Sequence, residues 1–256
     1  MIFRRGNTTL KRTFLHIPGV GYQTEKRIWK SGIRTWKECL RNTSRLPLGS
    51  KQRARVVDEI SESLNQLEQK NQRFFSDRLP TRELWRAFPE FRDSVAYLDI
   101  ETTGLSPNHD HITVIGLYDG RDVHTFVRGM NMDDFQSQIR RFKFLVTYNG
   151  AGFDLRFIEE EFPTAKLDQI HVDLRFPLKR IGLVGGLKAI EREVGITRPK
   201  ETAGLEGFDA VRLWREHQAG NEESLDLLVA YNREDIVNLE ALMRIAYSTL
   251  RRAVLP

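Results

Sequence analysis

The sequence predicts an α/β chain: a mixed sheet flanked by helices, preceded by a small all-α N-terminal domain. Three observations lead there. Three strand-like runs follow one another from Ser94 onward, at residues 95–100, 112–118 and 123–127. Helical and strand patterns then alternate, the order that builds a mixed sheet with helices on its faces. Upstream of Ser94 the apolar residues recur only at helical spacing and are punctuated by Gly and Pro.

Taken in chain order, Ile17-Pro18-Gly19-Val20-Gly21 reads as a tight turn, and residues 24–30 as a helix ended by Ser31-Gly32. Thr35 with Glu38 three residues later forms a capping-box start for a short helix through Leu40. Residues 50–75 read as one long polar helix whose Val56, Val57, Ile60, Leu64 and Leu67 form a single packed stripe. Residues 76–92 are broken by Pro80 and Pro89 and read as a strap carrying Trp85, Phe88 and Phe91 into the next domain. The expected division is therefore a basic helical domain at 1–75, a connecting strap at 76–93 and an α/β domain at 94–256. Within the last, Asp119-Gly120 is a hairpin turn. An amphipathic helix is expected at 132–142, a strand at 144–148, a helix at 155–162 and a further strand at 170–174. Helices at 187–194, 210–217 and 224–251 complete the chain.

Composition narrows the class. Of 256 residues, 40% are hydrophobic and 29% charged, which describes a globular chain, and no apolar run approaches the ~18 residues of a membrane-spanning helix. Arg4 and Arg5 have no apolar stretch behind them, so no secretory or twin-arginine leader is expected. Cys39 is the only cysteine, which excludes an intramolecular disulfide and an iron–sulfur cluster and fits a reducing, cytoplasmic setting. Charge is divided unevenly. Residues 1–90 carry 19 Lys and Arg against 9 Asp and Glu, whereas residues 91–256 carry 21 against 26. A basic third joined to an acidic remainder suggests one region that holds a polyanion and another that does chemistry beside it, although an Arg-rich solvated surface would look the same.

Three segments carry the chemistry. In Asp99-Ile100-Glu101-Thr102-Thr103-Gly104, the two carboxylates sit at i and i+2 of a strand and so share a face. Like charges at the end of an apolar strand repel unless protonated or neutralised, and hard oxygen ligands suit Mg²⁺ or Mn²⁺. In Tyr148-Asn149-Gly150-Ala151-Gly152-Phe153-Asp154, two glycines let the backbone turn before Asp154 opens a helix. An ordinary turn followed by an N-terminal Asp would read alike. In Tyr231-Asn232-Arg233-Glu234-Asp235, the phenol and the last carboxylate lie one helical turn apart.

In this order, Asp99, Glu101, Asp154 and Asp235, with Tyr231 four residues before the last, resemble the DEDDy class of 3′–5′ exonucleases on the ribonuclease-H-like fold. The segments look like those of the proofreading exonuclease of family-B DNA polymerases. With Gly186-Leu187-Lys188-Ala189-Ile190-Glu191 and Asp209-Ala210-Val211-Arg212-Leu213-Trp214, the chain is similar to YprB-type ribonuclease-H-like proteins over about 94–250. The histidine subtype would need His where Ala230 stands.

The resemblance implies two Mg²⁺ or Mn²⁺ ions, roughly 3.5–4 Å apart, held by Asp99, Glu101, Asp154 and Asp235. It implies Tyr231 as the group that orients the attacking water, a phenol of pKa near 10 being a poor base. Thr103, Gly104, Leu105, Asn149 and Phe153 would meet the terminal nucleotide, with Leu105 packed on its base. The implied activity is hydrolysis of single-stranded nucleic acid, DNA favoured, to nucleoside 5′-monophosphates with low sequence specificity.

The N-terminal turn has its own likeness. Gly19, Gly21, Thr24, Lys26 and Arg27 look like the hairpin and second helix of a helix-hairpin-helix, which offers backbone amides and cations to phosphates. The helix before the turn must fit into residues 7–16, where Thr8, Thr9 and Thr13 are poor helix formers. The six histidines show no zinc spacing. Asp173, Lys188 and Trp214 read mainly as structural. Two other functions compete with the exonuclease: an endonuclease or RNA-processing ribonuclease on the same metal site, and a non-catalytic nucleic-acid-binding adaptor.

Overall fold

The computed structural model describes residues 8–256. Its contacts divide the chain into two units, one comprising residues up to 93 with 168–170 and 247–256, the other 94–167 and 171–246. The last ten residues of the chain thus belong with the first unit. No helix among the described residues is long and apolar enough to cross a membrane.

The first unit is helical: α1 (Tyr22–Lys30), α2 (Trp36–Arg41), α3 (Ser50–Glu68), α4 (Gln72–Ser76) and α5 (Phe88–Phe91). Thr35 and Glu38 form the reciprocal capping box at the start of α2. The single helix expected over 50–75 is broken. Lys70 takes a left-handed φ of 52°, and the amides of Lys70 and Asn71 close back on Leu67 and Gln66 in a Schellman stop. Asn71 then caps α4 by accepting from the Phe74 amide. The 76–93 segment is a run of helical turns. It places Trp85 edge-on to Tyr247 and Phe91 against Phe75, all within this unit. The hairpin at 17–21 is present, with Gly19 at φ 83° and the Val20 amide bonded to the Ile17 carbonyl. Among the described residues, what precedes it is one 3₁₀ turn, Leu10–Arg12, and no α-helix that could serve as the first of a helix-hairpin-helix, as the threonines around it foreshadow.

The second unit is built on five strands: β1 (Val95–Thr102), β2 (Ile112–Tyr118), β3 (Val123–Val127), β4 (Phe144–Thr147) and β5 (Ile170–Asp173), in the order β3-β2-β1-β4-β5. The β1–β2 and β2–β3 pairs are antiparallel and the β1–β4 pair parallel, so the sheet is mixed, with β1 at its centre. The helices are α6 (Phe135–Ile139), α7 (Asp154–Glu161), α8 (Arg175–Arg180), α9 (Leu187–Glu193), α10 (Lys200–Ala203), α11 (Gly207–Gln218) and α12 (Glu222–Val254). α6 is shorter than the 132–142 helix expected, since its first turn is 3₁₀ and the chain leaves it to enter β4.

Strand alternation assigns the faces. Ala96, Leu98 and Ile100 join Ile115, Phe135, Ile139, Phe157 and Ile158 in the larger core cluster, under α6 and α7. The opposite face carries Tyr97, Asp99 and Glu101, and α11 and α12 cover its neighbourhood. Val114 of β2 packs there with Ala210, Leu213, Trp214 and Leu228.

Candidate active site

β1 supplies the first two carboxylates. Asp99 pairs across the ladder with Gly116 and Glu101 with Val114. Gly116 is what lets α12 approach: a Cβ there would lie 2.0 Å from the Asn232 side-chain oxygen. Asn232, 1% exposed, donates its amide to Asp99 Oδ2 at 3.0 Å and reaches Glu101 Oε1 at 3.4 Å. This pins α12 over the strand, so that Asp235, one turn further on, faces the same point. One carboxylate oxygen each from Asp99, Glu101 and Asp235 lie within 4.8 Å of one another.

Asp154 comes from the turn after β4. Asn149 adopts a left-handed φ of 63°, and a Cβ on Gly150 would fall 2.4 Å from Thr147 Oγ1, so this tight turn needs its glycine. Asp173 holds the turn by accepting from the amides of Asn149 at 2.7 Å, Ala151 at 3.2 Å and Arg175 at 3.1 Å. The structural role read for Asp173 is therefore accounted for. Asp154 is 3% exposed, and its Oδ1 is a buried oxygen with no hydrogen-bond partner. It lies outside the three-carboxylate cluster but lines the same cavity, of about 440 Å³, as Asp99, Glu101, Tyr231 and Asp235.

The electrostatics follow from burial. Desolvation raises the Asp99 carboxyl well above its usual range, and the nearby Asp235, Asp154 and Glu101 push it further. Glu101 is raised by the same causes, burial first and Asp235 next. Burial lifts Asp154 to about 7. Burial also lifts Asp235, to about 6, against the opposing pull of Arg198. Carboxyl groups this crowded resist ionising together unless a cation joins them. Hard oxygen donors, buried, mutually repelling and including one orphaned oxygen, fit a hard divalent ion.

Tyr231 is 6% exposed and its phenol is pushed further up, mainly by burial and then by Asp235, Glu101 and Asp99. Lys188 Nζ donates to Tyr231 Oη at 2.9 Å and sits 4.4 Å from the ring centre. The lysine fills an acceptor position on the phenol and leaves its O–H hydrogen available for donation.

Of the residues assigned to the nucleotide, Gly104, Leu105, Asn149 and Phe153 line the cavity. Thr103 does not. Its hydroxyl donates to Asp110 Oδ1 and accepts from the His111 amide, bracing the loop after β1. Gly19, Gly21, Lys26 and Arg27 are exposed and Thr24 half-buried around the N-terminal hairpin.

Four contributors escaped the sequence reading. Asn232 was passed over between Tyr231 and Asp235, although Gly116 in an otherwise apolar strand marks the close approach that it makes. Arg198 lies in the loop between α9 and α10. It is bidentate on Glu191, at 2.6 Å to each oxygen, and reaches Asp235 Oδ1 through Nη2. Asn238 donates to Glu191 Oε1 at 3.1 Å, completing a buried bracket behind Asp235. Phe208 also lines the cavity, from the first turn of α11.

A mixed sheet with its carboxylates on the central strand, covered by two helices, defines a ribonuclease-H-like α/β fold. The chain belongs to the RNase_H superfamily, which it matches over residues 96–247, a stretch that includes Asp99, Glu101, Asp154, Tyr231 and Asp235. No curated protein matches it significantly. Among solved structures it is similar to the family B DNA polymerase from the hyperthermophilic archaeon Pyrobaculum calidifontis, at 16% identity and a TM-score of 0.49. That likeness covers 59% of this chain and 24% of the polymerase, so the chain spans about a quarter of that protein. It is also similar to Brucella melitensis NrnC, at 18% identity and a TM-score of 0.46, over 65% of this chain and 78% of that one. The same protein bound to pGG gives 19% identity and a TM-score of 0.43.

Proposed function

We propose that this chain is a metal-dependent nuclease that acts as a 3′–5′ exonuclease on single-stranded nucleic acid, DNA in first place, and releases nucleoside 5′-monophosphates. The observation that carries the reading is the convergence of Asp99, Glu101 and Asp235 beside Asp154, whose inner oxygen has no partner. Nothing in the packing requires four acidic groups there, and their mutual repulsion disfavours it.

Asp99, Glu101, Asp235 and Asp154 would hold Mg²⁺ or Mn²⁺, two ions by the family resemblance. When bound, such ions supply Lewis-acid activation of water and neutralise charge on the reacting phosphate. The chain's own groups then orient the reactants. Asn232 fixes the rotamers of Asp99 and Glu101, and Arg198 with Glu191 fixes that of Asp235. Tyr231, accepting from Lys188, offers its O–H to a water or a phosphate oxygen and, with its raised pKa, does not act as a base. Gly104, Leu105, Asn149 and Phe153 receive the terminal nucleoside. The exposed Lys26 and Arg27, beside the Gly19 hairpin, supply a second, sequence-independent hold on phosphates.

The test is digestion of end-labelled strands, DNA and RNA, single and double, with free or blocked 3′ ends, in Mg²⁺, Mn²⁺ or chelator. A ladder shortening from free 3′ ends only, absent in chelator, is expected. Cutting of strands with blocked ends would make the site an endonuclease, and binding without cutting under every condition would leave an adaptor.

A further inference from the structure

We infer that α8 and the loop after it form a track for the body of a single strand, holding nucleotides beyond the terminal one. This rests on the nuclease reading above and deepens it by making strand length a property that the protein selects.

Residues 91–256 are acidic as a whole, yet 174–190 carry Arg175, Lys179, Arg180 and Lys188 and no Asp or Glu. Pro177 and Leu178 are the buried residues of α8, which leaves Arg175, Phe176, Lys179 and Arg180 exposed along its outer side. Phe176 is 60% exposed, and Val184 in the following loop 61%. Arg175 and Lys179 make no ion pair among the described residues. Packing accounts for neither the exposed aromatic nor the uncompensated cations around it. Charge complementarity names the occupant. Cations interleaved with an exposed aromatic suit a chain of phosphates and bases, the cations taking phosphates and Phe176 the flat face of an unpaired base.

The track is fastened to the site. Tyr148 and Asn149, which line the carboxylate cavity, each bond into this segment. Arg175 Nη1 donates to Asn149 Oδ1 at 2.6 Å, and Tyr148 Oη donates to the Gly185 carbonyl. Gly182 and Gly185, at φ 94° and 132°, turn the chain between α8 and α9. Beyond that turn, Gly186, Leu187 and Lys188, with Arg192, line a second cavity of about 320 Å³ that also holds Asp99 and Asp235. This basic compartment puts the end of the segment and the carboxylates on one wall. Phe176 and Lys179 line neither cavity, so what they hold lies outside the seat of the terminal nucleotide.

The experiment compares the wild type, Phe176→Ala and Lys179→Gln on dinucleotides and on single strands of about twelve nucleotides. Cleavage is followed in Mg²⁺, and binding of the long strand in chelator by fluorescence anisotropy. Phe176→Ala should weaken long-strand binding, and raise its KM, by about 10-fold with kcat nearly unchanged. Lys179→Gln should lower the slope of log K against log salt by about 0.7. Both variants should cut dinucleotides at the wild-type kcat/KM and keep the wild-type unfolding midpoint, since both side chains are exposed. Unchanged long-strand binding in either variant, or an equal loss on dinucleotides, would overturn the track while leaving the nuclease standing. A wild type that binds strands and cuts none would overturn the nuclease reading, and the anisotropy series would still decide the track.

Discussion

Buried carboxylates occur in both units, and they are treated in opposite ways. In the helical unit, Glu25 accepts from Thr13 Oγ1 and the Phe14 amide, each at 2.7 Å, and from Arg86 at 3.0 Å. Arg86 turns its Nε to Glu83 Oε2 at 2.7 Å, and Glu25, Glu83 and Arg86 are at most 1% exposed. One buried guanidinium serves both carboxylates, and the exposed Arg82 lies 3.6 Å from Glu83 Oε1. In the α/β unit, Glu101 and Asp154 are buried and Asp99 half-buried, yet none makes an ion pair among the described residues. Asp235 stands between, tied to Arg198, whose charge is shared with Glu191. Burial therefore does not mark a site. A cluster of carboxylates given no internal cation does, because its members can ionise together only if a cation arrives from outside. A single one such as Glu90 in the helical unit, pushed up to about 8 by burial, can stay protonated.

The contrast can be broken most sharply at its two centres. Asp99→Asn keeps the shape and removes one repelling charge. Cleavage should fall at least about 10³-fold, beyond the 10- to 100-fold typical of a group that only orients a ligand. The thermal midpoint without metal should hold or rise. A clear drop in that midpoint would mean that Asp99 serves the fold as Glu25 does. Arg86→Met should do the reverse. It strands two buried carboxylates, at a cost of about 3–5 kcal/mol in denaturant unfolding. The midpoint shift produced by Mg²⁺ should survive wherever the variant folds. Loss of that shift in a folded Arg86→Met protein would join the two clusters and dissolve the distinction.

A smaller effect comes from pH. Asp154 and Asp235 titrate near 7 and 6 in the folded chain, above the ordinary carboxylate range. The folded state therefore binds more protons than the unfolded one between about pH 4 and 7, so metal-free stability falls as pH rises through that window. The added cation replaces those protons, and the Mg²⁺-induced rise in midpoint should grow from pH 5 to pH 8. Thermal scans at fixed Mg²⁺ across that range check the sign. A rise that shrinks with pH would mean that the carboxylates are ionised and paired before the metal binds.

The same contrast explains what could be read from the chain beforehand. Strand alternation fixed the shared face of Asp99 and Glu101, and helical spacing fixed that of Tyr231 and Asp235, because both are local periodicities. The bounds of β2 and β3 followed for the same reason. What needed coordinates was every compensation made across long separations. Arg198 reaches Asp235 from a loop without periodicity, Arg86 reaches Glu25 from a segment that looked like a linker, and Asn232 depends on a glycine 116 residues before it. Lys70 broke α3 with a left-handed turn that lysine does not announce. Phe208 was lost because α11 was expected to begin at Ala210, which left the aromatic outside the helix that displays it.

The smallest effect concerns charges that the helical unit leaves outside. On α1, Glu25 turns inward to Arg86, while the next two residues, Lys26 and Arg27, are exposed and make no ion pair among the described residues. The inner charge is consumed by the fold and the outer pair is free for a phosphate backbone. Lys26→Gln with Arg27→Gln should leave the unfolding midpoint within about 0.5 kcal/mol, as surface substitutions do. It should flatten the plot of log K against log salt for a single strand by about 1.4, two contacts at roughly 0.7 each. An unchanged slope would move the hold on phosphate to the basic compartment around Lys188 and Arg192. The N-terminal hairpin would then be an element of packing, its one matched charge facing in and its unmatched ones merely solvated.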